Sequence, residues 1–527
     1  HNRRGLCLIF YIEEKRQKIM RSEQAFKNMA ANLFLQVVVF LSGIILPRFI
    51  LEAYGSTVNG MITSVNQFLT YLSLAEAGVA TASVVALYNP LALGRKDEVN
   101  SILSATRKFY NRSGVLFFVL TAALVVVYPL FISRQLDHGL VRWMIVVLAG
   151  STLIDYFFLG KYRVLLNANQ EGYVVALVQS AGTILNMVVS IGLIYAGASI
   201  LLVKAVATAV YVMRLFLIRA YAKKRYPELD FHVAPAEHAL KQKNAALLHQ
   251  VVGIIVNNTD TAVLTICLRS RSLLEVSVYG IYMLVVNAVN QLLTSFFNGL
   301  TAGFGEVIAR NEQAVLKKSY STFEYMYFVI LFIVAACMGA LIIPFIAVYT
   351  KNMEDVQYVR PVAAALFTIL IFLQNVRVPG MTIICAAGHY KQTRYQAIAE
   401  AVINIVVSLA LVWKWGMNGV LFGTVCSYGY RSFEMIFYTS RNLIKGTAKH
   451  SFARIVRNMI AVIVLIAAGL RLIPQEMDSF ISWFLYACAM GGVSSLVIIL
   501  VNYAAEPGEY RNFVERVRGI GFLKKKH

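Results

Sequence analysis

The sequence predicts an all-α polytopic membrane protein. Of its 527 residues, 58% are hydrophobic and only 14% are charged, whereas about a quarter of the residues in soluble domains are charged. Apolar stretches recur along the whole chain, each with about the 18 residues or more that a helix needs to cross roughly 30 Å of hydrocarbon. The placement of charge and an internal repeat refine this fold class.

We expect about fourteen transmembrane helices, joined by short loops on one face and longer, basic loops on the other. The predicted spans are 29–51, 61–87, 114–133, 142–160, 173–195, 198–219, 245–268, 277–305, 324–349, 359–386, 395–413, 417–439, 455–473 and 480–504.

The net charge of +22 is distributed unevenly. Most Lys and Arg residues lie in the two tails and in every second loop. This asymmetry follows the positive-inside rule and predicts that both termini and the loop 222–244 are cytoplasmic. We expect the basic excess to contact anionic membrane lipids. We expect no nucleic-acid partner, since no soluble domain is present to offer a binding groove.

Two pairs of similar segments predict an internal duplication. Residues 186–190 (NMVVS) are similar to residues 404–408 (NIVVS). Polar residues with the same helical spacing also occur in the second and eighth predicted spans, namely Thr63, Asn66, Gln67 and Thr70, and Asn287, Asn290, Gln291 and Thr294. Because six spans return a chain to the same side of the membrane, the repeats are expected to be parallel.

The expected organisation follows from this duplication. The loop between the lobes is interpreted as a tether long enough to let them rock, and Met20 is a candidate start of the native chain. The expected segments are a cytoplasmic tail (1–28), an N-lobe (29–221), the inter-lobe loop (222–244), a C-lobe (245–440), two added helices (441–504) and a basic cytoplasmic tail (505–527).

Charged residues inside the spans are candidate functional residues, because a charge at mid-membrane costs on the order of 2.5–3.5 kcal/mol on insertion scales. Arg48 and Arg431 each have a carboxylate nearby on the same helix, at Glu52 and Glu434. Each of these two pairs has two interpretations that the sequence leaves open, a cavity cation or an intrahelical ion pair.

The other charged candidates differ in their surroundings. Lys161, Arg163 and Arg214 lie near predicted cytoplasmic ends of spans, where their side chains can also extend to the headgroups. Arg377 and Asp260 have no partner on their own helices. For these two residues we favour a role in a polar cavity.

Amide side chains complete the predicted cavity, at Asn66, Gln67, Asn290 and Gln291. Such residues also hold membrane helices together by hydrogen bonds, which is the alternative for any single stripe. Amides suit sugar hydroxyls, and guanidinium groups suit phosphate. The set therefore predicts an anionic, glycosylated substrate.

Enzymatic signatures are missing from the sequence. It contains no GxSxG, Walker or HExxH motif, and its six cysteines are scattered without metal-binding spacing. We therefore expect a transporter rather than an enzyme, with no metal site.

Several segments resemble the polysaccharide flippases of the multidrug/oligosaccharidyl-lipid/polysaccharide exporter superfamily. They are residues 46–55 (LPRFILEAYG), 67–69, 76–78, 103–110, 258–260 and 387–391. The resemblance covers roughly residues 25–440 and implies two six-helix lobes that form a V-shaped cavity, plus two C-terminal helices. It implies transport of undecaprenyl-diphosphate-linked oligosaccharide across the bacterial cytoplasmic membrane, with Arg48 and Arg377 holding the diphosphate.

The resemblance leaves several properties open. Coupling to Na⁺ or H⁺ is one of them, and Asp260 is our candidate for it. A monomer is expected, with polysaccharide assembly proteins as candidate partners. The alternatives are a cation-coupled multidrug or small-molecule exporter of the same fold and, with less support, a membrane glycosyltransferase or polymerase.

Overall fold

A computed structural model describes residues 2–76, 79–132, 135–236, 258–297, 300–475 and 477–523. The regular elements of these residues are all helical, which confirms the all-α fold class. The α-helices are α1 (Asn2–Leu72), α2 (Val79–Ala92), α3 (Lys96–Phe131), α4 (His138–Ile154), α5 (Gly160–Ala168), α6 (Gly172–Tyr195), α7 (Ile200–Arg225), α8 (258–267), α9 (Ser272–Phe297), α10 (Leu300–Ala309), α11 (Gln313–Tyr349), α12 (Pro361–Val376), α13 (Val378–Ala386), α14 (Arg394–Trp415), α15 (Met417–Tyr438), α16 (Lys449–Leu472), α17 (Phe480–Ala505) and α18 (Pro507–Leu523).

Helix α1 contains the first predicted span and the start of the second. It breaks at Gly55, whose φ of 80° and ψ of 172° are not helical. Glycine adopts this region without the steric cost that a Cβ atom imposes. The second predicted span is interrupted again by a 3₁₀ turn at Ser73–Glu76 before α2 begins.

Eleven helical segments of the described residues are long and apolar enough to cross a membrane. This confirms a polytopic protein, while the count of fourteen stays a prediction. The first two predicted spans merge in one of the eleven, and residues 245–257 of the seventh lie outside the described part. Helix α15 does not qualify because Arg431, Glu434 and many small polar residues lower its hydropathy.

The chain divides into two compact units, unit 1 (His1–Ile255) and unit 2 (Val256–His527). The same helix pairs pack inside each unit. In unit 1, α3 packs on α4, α6 on α7, α4 on α7, and α2 on α5; in unit 2 the pairs are α11 with α12, α14 with α15, α12 with α15, and α10 with α13. The tight turns between α6 and α7 and between α14 and α15 also correspond, since Gly197 and Gly416 both have positive φ. Each unit thus has the helix pairing that a duplication requires.

The added helices α16 and α17 are fastened to α11 by a buried polar network. Arg454 Nη1 donates to Glu324 Oε2 at 2.9 Å, and its Nη2 donates to Glu506 Oε2 at 2.6 Å. Asn458 and Asn502 exchange amide hydrogen bonds between α16 and α17. Burial raises the pKa of the Glu506 carboxyl, but its bonds to the arginines outweigh burial and hold the pKa below its usual range.

The polar segment that follows α7 is attached to α3 as far as Ala236. Lys96 Nζ lies 2.6 Å from Glu228 Oε2. Ser101 Oγ donates to the Ala234 carbonyl at 2.7 Å, and Ala236 N–H donates to the Ser101 carbonyl at 3.2 Å. This part of the predicted tether therefore belongs to the folded surface of unit 1, and the remainder of the tether, 237–244, lies outside the described residues.

Close packing of α14 on α15 depends on glycine. A Cβ on Gly423 would lie 2.7 Å from the backbone nitrogen of Ser408, which cannot move without shifting α14. We expect Gly423→Ala to lower the free energy of unfolding by about 1–3 kcal/mol, the usual cost of overpacking. The control is Gly429→Ala on the same helix, whose Cβ would meet only Leu373 Cδ1 at 3.9 Å.

The measurement is the thermal unfolding midpoint of both variants in detergent. Both variants gain the same helix propensity from alanine. The difference between their unfolding midpoints therefore reports on the contact between α14 and α15. Equal midpoints would show that this contact tolerates a methyl group.

Candidate functional site

Four charged side chains form a cluster in unit 2 at the break between α12 and α13. Pro379 lacks an N–H and favours this break, which places Arg377 at the junction. Arg377 Nη1 donates to Glu400 Oε1 on α14. Arg431 on α15 has its Nε 3.5 Å from Glu400 Oε2 and its Nη1 2.5 Å from Glu434 Oε2.

The cluster (Arg377, Glu400, Arg431 and Glu434) contains two guanidinium groups and two carboxylates, so its formal charges cancel. Arg431 forms the intrahelical pair with Glu434 that was one of its two interpretations, and it also contacts Glu400. Arg377 has no partner on its own helix, as predicted, but it has one on α14. Its guanidinium also lies over the Tyr428 ring, 4.5 Å from the centroid.

Asp260 on α8 lies in a second polar site. This site includes Asn404, which is one helical turn beyond Glu400 on α14. Thr424 Oγ lies 2.8 Å from both carboxylate oxygens, and Tyr279 Oη donates to Oδ2 at 3.1 Å. Asn404 Nδ2 donates to Thr424 Oγ at 2.9 Å. Asn404 Oδ1 is buried and has no hydrogen-bond partner among the described residues. A buried carboxylate with hydroxyl and amide oxygens nearby suits a proton or a hard cation such as Na⁺.

A charged cluster also lies at the break between α4 and α5 in unit 1, where a π-turn covers Asp155–Leu159. Arg163 Nη2 lies 2.9 Å from Asp155 Oδ2 and 3.5 Å from Glu76 Oε1. Arg163 therefore pairs with carboxylates inside unit 1 rather than only extending to the headgroups.

Arg214 is the unit 1 counterpart of Arg431. Arg214 on α7 lies against Gly182 of α6, so that a Cβ added to Gly182 would overlap the Nε of Arg214. In the same way, Arg431 on α15 lies against Glu400 of α14. No carboxylate of the described residues lies within 4 Å of Arg214. Its Nη2 donates to Thr183 Oγ at 3.1 Å, and its buried Nε has no hydrogen-bond partner in the described part.

The amide candidates fall into different environments. Asn290 is bridged by hydrogen bonds to Gln374 and Asn375 on α12, at 2.9 and 2.7 Å. This is the helix-linking role that the sequence left as the alternative. Asn66 is exposed, Gln291 is half-buried, and Gln67 has a buried Nε2 without a hydrogen-bond partner among the described residues.

The remaining cations, Arg48 and Lys161, lie in unit 1. Arg48 is half-buried on α1, seven residues before the break at Gly55. Lys161 lines a cavity with Arg107 and Arg219. Neither residue belongs to the cluster around Arg163.

Three residues that the structure brings to these sites were not among the predicted cavity residues, although Glu434 was noted as a possible intrahelical partner of Arg431. Glu400 and Glu434 neutralise the predicted cations of unit 2. Arg214 was noted only as a residue near the end of a span. The spacing between Arg214 and Arg431 matches the offset between residues 186–190 and 404–408 to within one residue, so applying the repeat to charged residues could have identified this pair.

The chain has the fold of solved membrane transporters. It is similar to a structure described as lipid II flippase MurJ in an inward closed conformation, with 14% identity, a TM-score of 0.64 and coverage of 91% of this chain and 99% of the flippase. It is also similar to an inward-facing multidrug resistance MATE family transporter of the MOP superfamily (15% identity, TM-score 0.56, 85% and 100% coverage) and to the MATE multidrug transporter DinF-BH (15%, 0.55, 81% and 95%). No family model and no curated protein matches the sequence at a significant level. These likenesses agree with the all-α polytopic fold class that the sequence predicts.

Neutralising Glu400 should destabilise unit 2. Glu400→Gln leaves Arg377 and Arg431 with only the Glu434 carboxylate, and breaking a buried pair costs about 3–5 kcal/mol. The measurement is the thermal unfolding midpoint in detergent. The matched control is Glu306→Gln, which removes an exposed pair with Arg310 and should change stability by less than about 1 kcal/mol. Equal effects of both substitutions would contradict a stabilising role for Glu400.

Proposed function

We propose that this chain, with the fold shared by a lipid II flippase and MATE family transporters, is a flippase for undecaprenyl-diphosphate-linked oligosaccharide. It would carry this substrate across the bacterial cytoplasmic membrane by alternating access, for cell-surface polysaccharide biosynthesis. The main support is that the likeness to the flippase extends over more of this chain, with a higher TM-score, than the likeness to either multidrug transporter.

In this proposal Arg377 exchanges partners when the substrate binds. Its guanidinium is the more exposed of the two in its cluster, with 15% of its side chain accessible against 4% for Arg431. If a diphosphate binds Arg377 in place of Glu400, the Glu400 carboxylate still has Arg431 as a partner. No buried charge is then left unpaired. Guanidinium groups bind phosphate oxygens in a bidentate manner, which suits this exchange.

Arg214 supports an anionic substrate in a different way. With no carboxylate within 4 Å in the described part of the chain, it can receive an anion without first releasing an internal one. Arg48, Lys161, Arg163 and Arg431 remain candidate substrate contacts, as do the amides Asn66, Gln67, Asn290 and Gln291.

Asp260 is the proposed coupling residue. Its oxygens, Thr424 Oγ and the unpartnered Asn404 Oδ1 form an oxygen-rich site suited to Na⁺ or a proton. A driving ion that binds here would bias the packing of α14 on α15, because its ligands come from both helices.

A cation-coupled multidrug exporter is the second candidate, and its support is the fold likeness to the two multidrug transporters. The predominance of Arg over acidic residues in the predicted spans favours the flippase. Drug-resistance assays in a sensitised host separate the two: resistance without any effect on polysaccharide export would favour the exporter. Localisation in the bacterial cytoplasmic membrane, a monomeric state and contacts with polysaccharide assembly proteins belong to the flippase proposal.

The first test concerns the proposed substrate contacts. We expect Arg377→Gln and Arg48→Gln each to lower surface polysaccharide export at least tenfold, since a lost charged contact to phosphate costs about 1.5–3 kcal/mol. The control is Arg310→Gln, which removes only an exposed pair. Normal export by both variants, with normal amounts of protein in the membrane, would contradict the substrate assignment.

The second test concerns coupling. Asp260→Asn should abolish the stimulation of lipid-linked oligosaccharide transport by an imposed Na⁺ or H⁺ gradient in proteoliposomes, because the neutral amide can neither bind a proton nor balance a cation. Asp478→Asn is the control, since its side chain is 99% exposed. Stimulation that survives Asp260→Asn would exclude Asp260 as the coupling residue.

A further inference from the structure

A cavity of about 380 Å³ in unit 1 is lined by three cations and no carboxylate among the described residues. The cations are Arg107 on α3, Lys161 on α5 and Arg219 on α7, and the Asn111 amide joins them. Arg163 and Arg377, by contrast, have carboxylate partners. Three cations in one cavity repel one another, so an anion bound there would be stabilising.

The three cations lie at one depth in the membrane. Arg107 precedes the predicted third span, Lys161 directly follows the fourth, and Arg219 ends the sixth. These three span ends face the side with the basic loops, which the positive-inside rule makes cytoplasmic. The cavity is therefore at the depth of the headgroups on that side.

The polar segment after α7 forms part of the cavity's surroundings. Lys161 Nζ lies 4.9 Å from the centroid of the Phe231 ring and 5.3 Å from that of Tyr162. Arg107 Nη1 donates to the Phe231 carbonyl oxygen at 3.4 Å and lies 3.3 Å from His232 Nε2. These contacts hold two of the three cations in place without neutralising them.

Apolar side chains adjoin the cationic group. Phe157 and Phe158 line the cavity, and Phe158 is 52% exposed. Such side chains suit acyl chains, whereas the cations suit a phosphoryl group.

We propose that this cavity binds the phosphoryl headgroup of an anionic glycerophospholipid of the cytoplasmic leaflet, with the acyl chains along Phe157 and Phe158. The site goes beyond the proposed transport function, since it does not require the lipid to be moved. In this proposal Lys161 is a ligand of a resident lipid rather than one of the substrate contacts.

The test is lipid-dependent thermal stability of the full chain in detergent. Phosphatidylglycerol should raise the unfolding midpoint, and phosphatidylcholine at the same concentration should not. Lys161→Gln and Arg219→Gln should each weaken phosphatidylglycerol binding about fivefold, and Lys161→Arg should retain it. The control is Arg112→Gln, which removes an exposed cation of α3 that does not line the cavity.

Three outcomes would overturn the proposal. One is an equal loss of binding in the Arg112→Gln control, which would indicate a diffuse surface effect. Another is an equal rise in the midpoint with inorganic phosphate alone, which would indicate a site for free phosphate. The third is a rise with polyprenyl diphosphate but not with phosphatidylglycerol, which would assign the cavity to the transported substrate. Lys161→Arg keeps the positive charge. If this variant still binds phosphatidylglycerol, the weaker binding of Lys161→Gln reflects the lost charge rather than misfolding.

Discussion

The shared carboxylate of Glu400 is the interaction on which the polar interior of unit 2 depends. It contacts Arg377 at the break between α12 and α13 and Arg431 on α15, so one residue of α14 fixes two neighbouring elements. Two guanidinium groups could not remain close together in a low-dielectric interior without it. The same arrangement makes partner exchange possible, because losing one arginine leaves the carboxylate paired with the other. The packing of unit 2 and the proposed exchange of partners would thus use the same four side chains.

The two units share their helix pairing but not their charges. Where unit 2 places Glu400 beside Arg431, unit 1 places Gly182 beside Arg214. Two units with the same helix pairing can therefore differ in the carboxylates that surround a cation. The break between α4 and α5 and the break between α12 and α13 also correspond, yet Arg163 faces two carboxylates whereas Arg377 shares one. The repeat therefore explains where these sites lie, and substitutions within it explain why they differ chemically.

Hydropathy and charge placement were sufficient to predict the fold class. An apolar helix in a bilayer forms its backbone hydrogen bonds within itself and needs few long-range contacts. The duplication could be recognised from residues 186–190 and 404–408. The count of fourteen stays a prediction, because α15 is less apolar than the eleven qualifying segments and the first two predicted spans lie in one segment that breaks at Gly55. Partners on other helices were also beyond sequence reasoning: nothing near Arg377 in the sequence indicates Glu400, 23 residues away. Asp260 is buried, and its contacts with Thr424 and Tyr279 depend on the packing of three helices, which the sequence does not reveal.

The attachment of the segment after α7 to α3 has a consequence for biogenesis. Ser101 and Lys96 bind groups more than 130 residues later in the chain, at Ala234 and Glu228. During synthesis, the start of α3 therefore cannot make all of these contacts until residue 236 has left the ribosome. The surface of unit 1 is therefore not fully formed when α7 ends at Arg225. A chain truncated directly after Arg225 would expose the α3 groups that the segment after α7 covers. Unit 1 therefore becomes independently foldable only when the chain extends beyond α7, into the segment that the sequence analysis interprets as a tether.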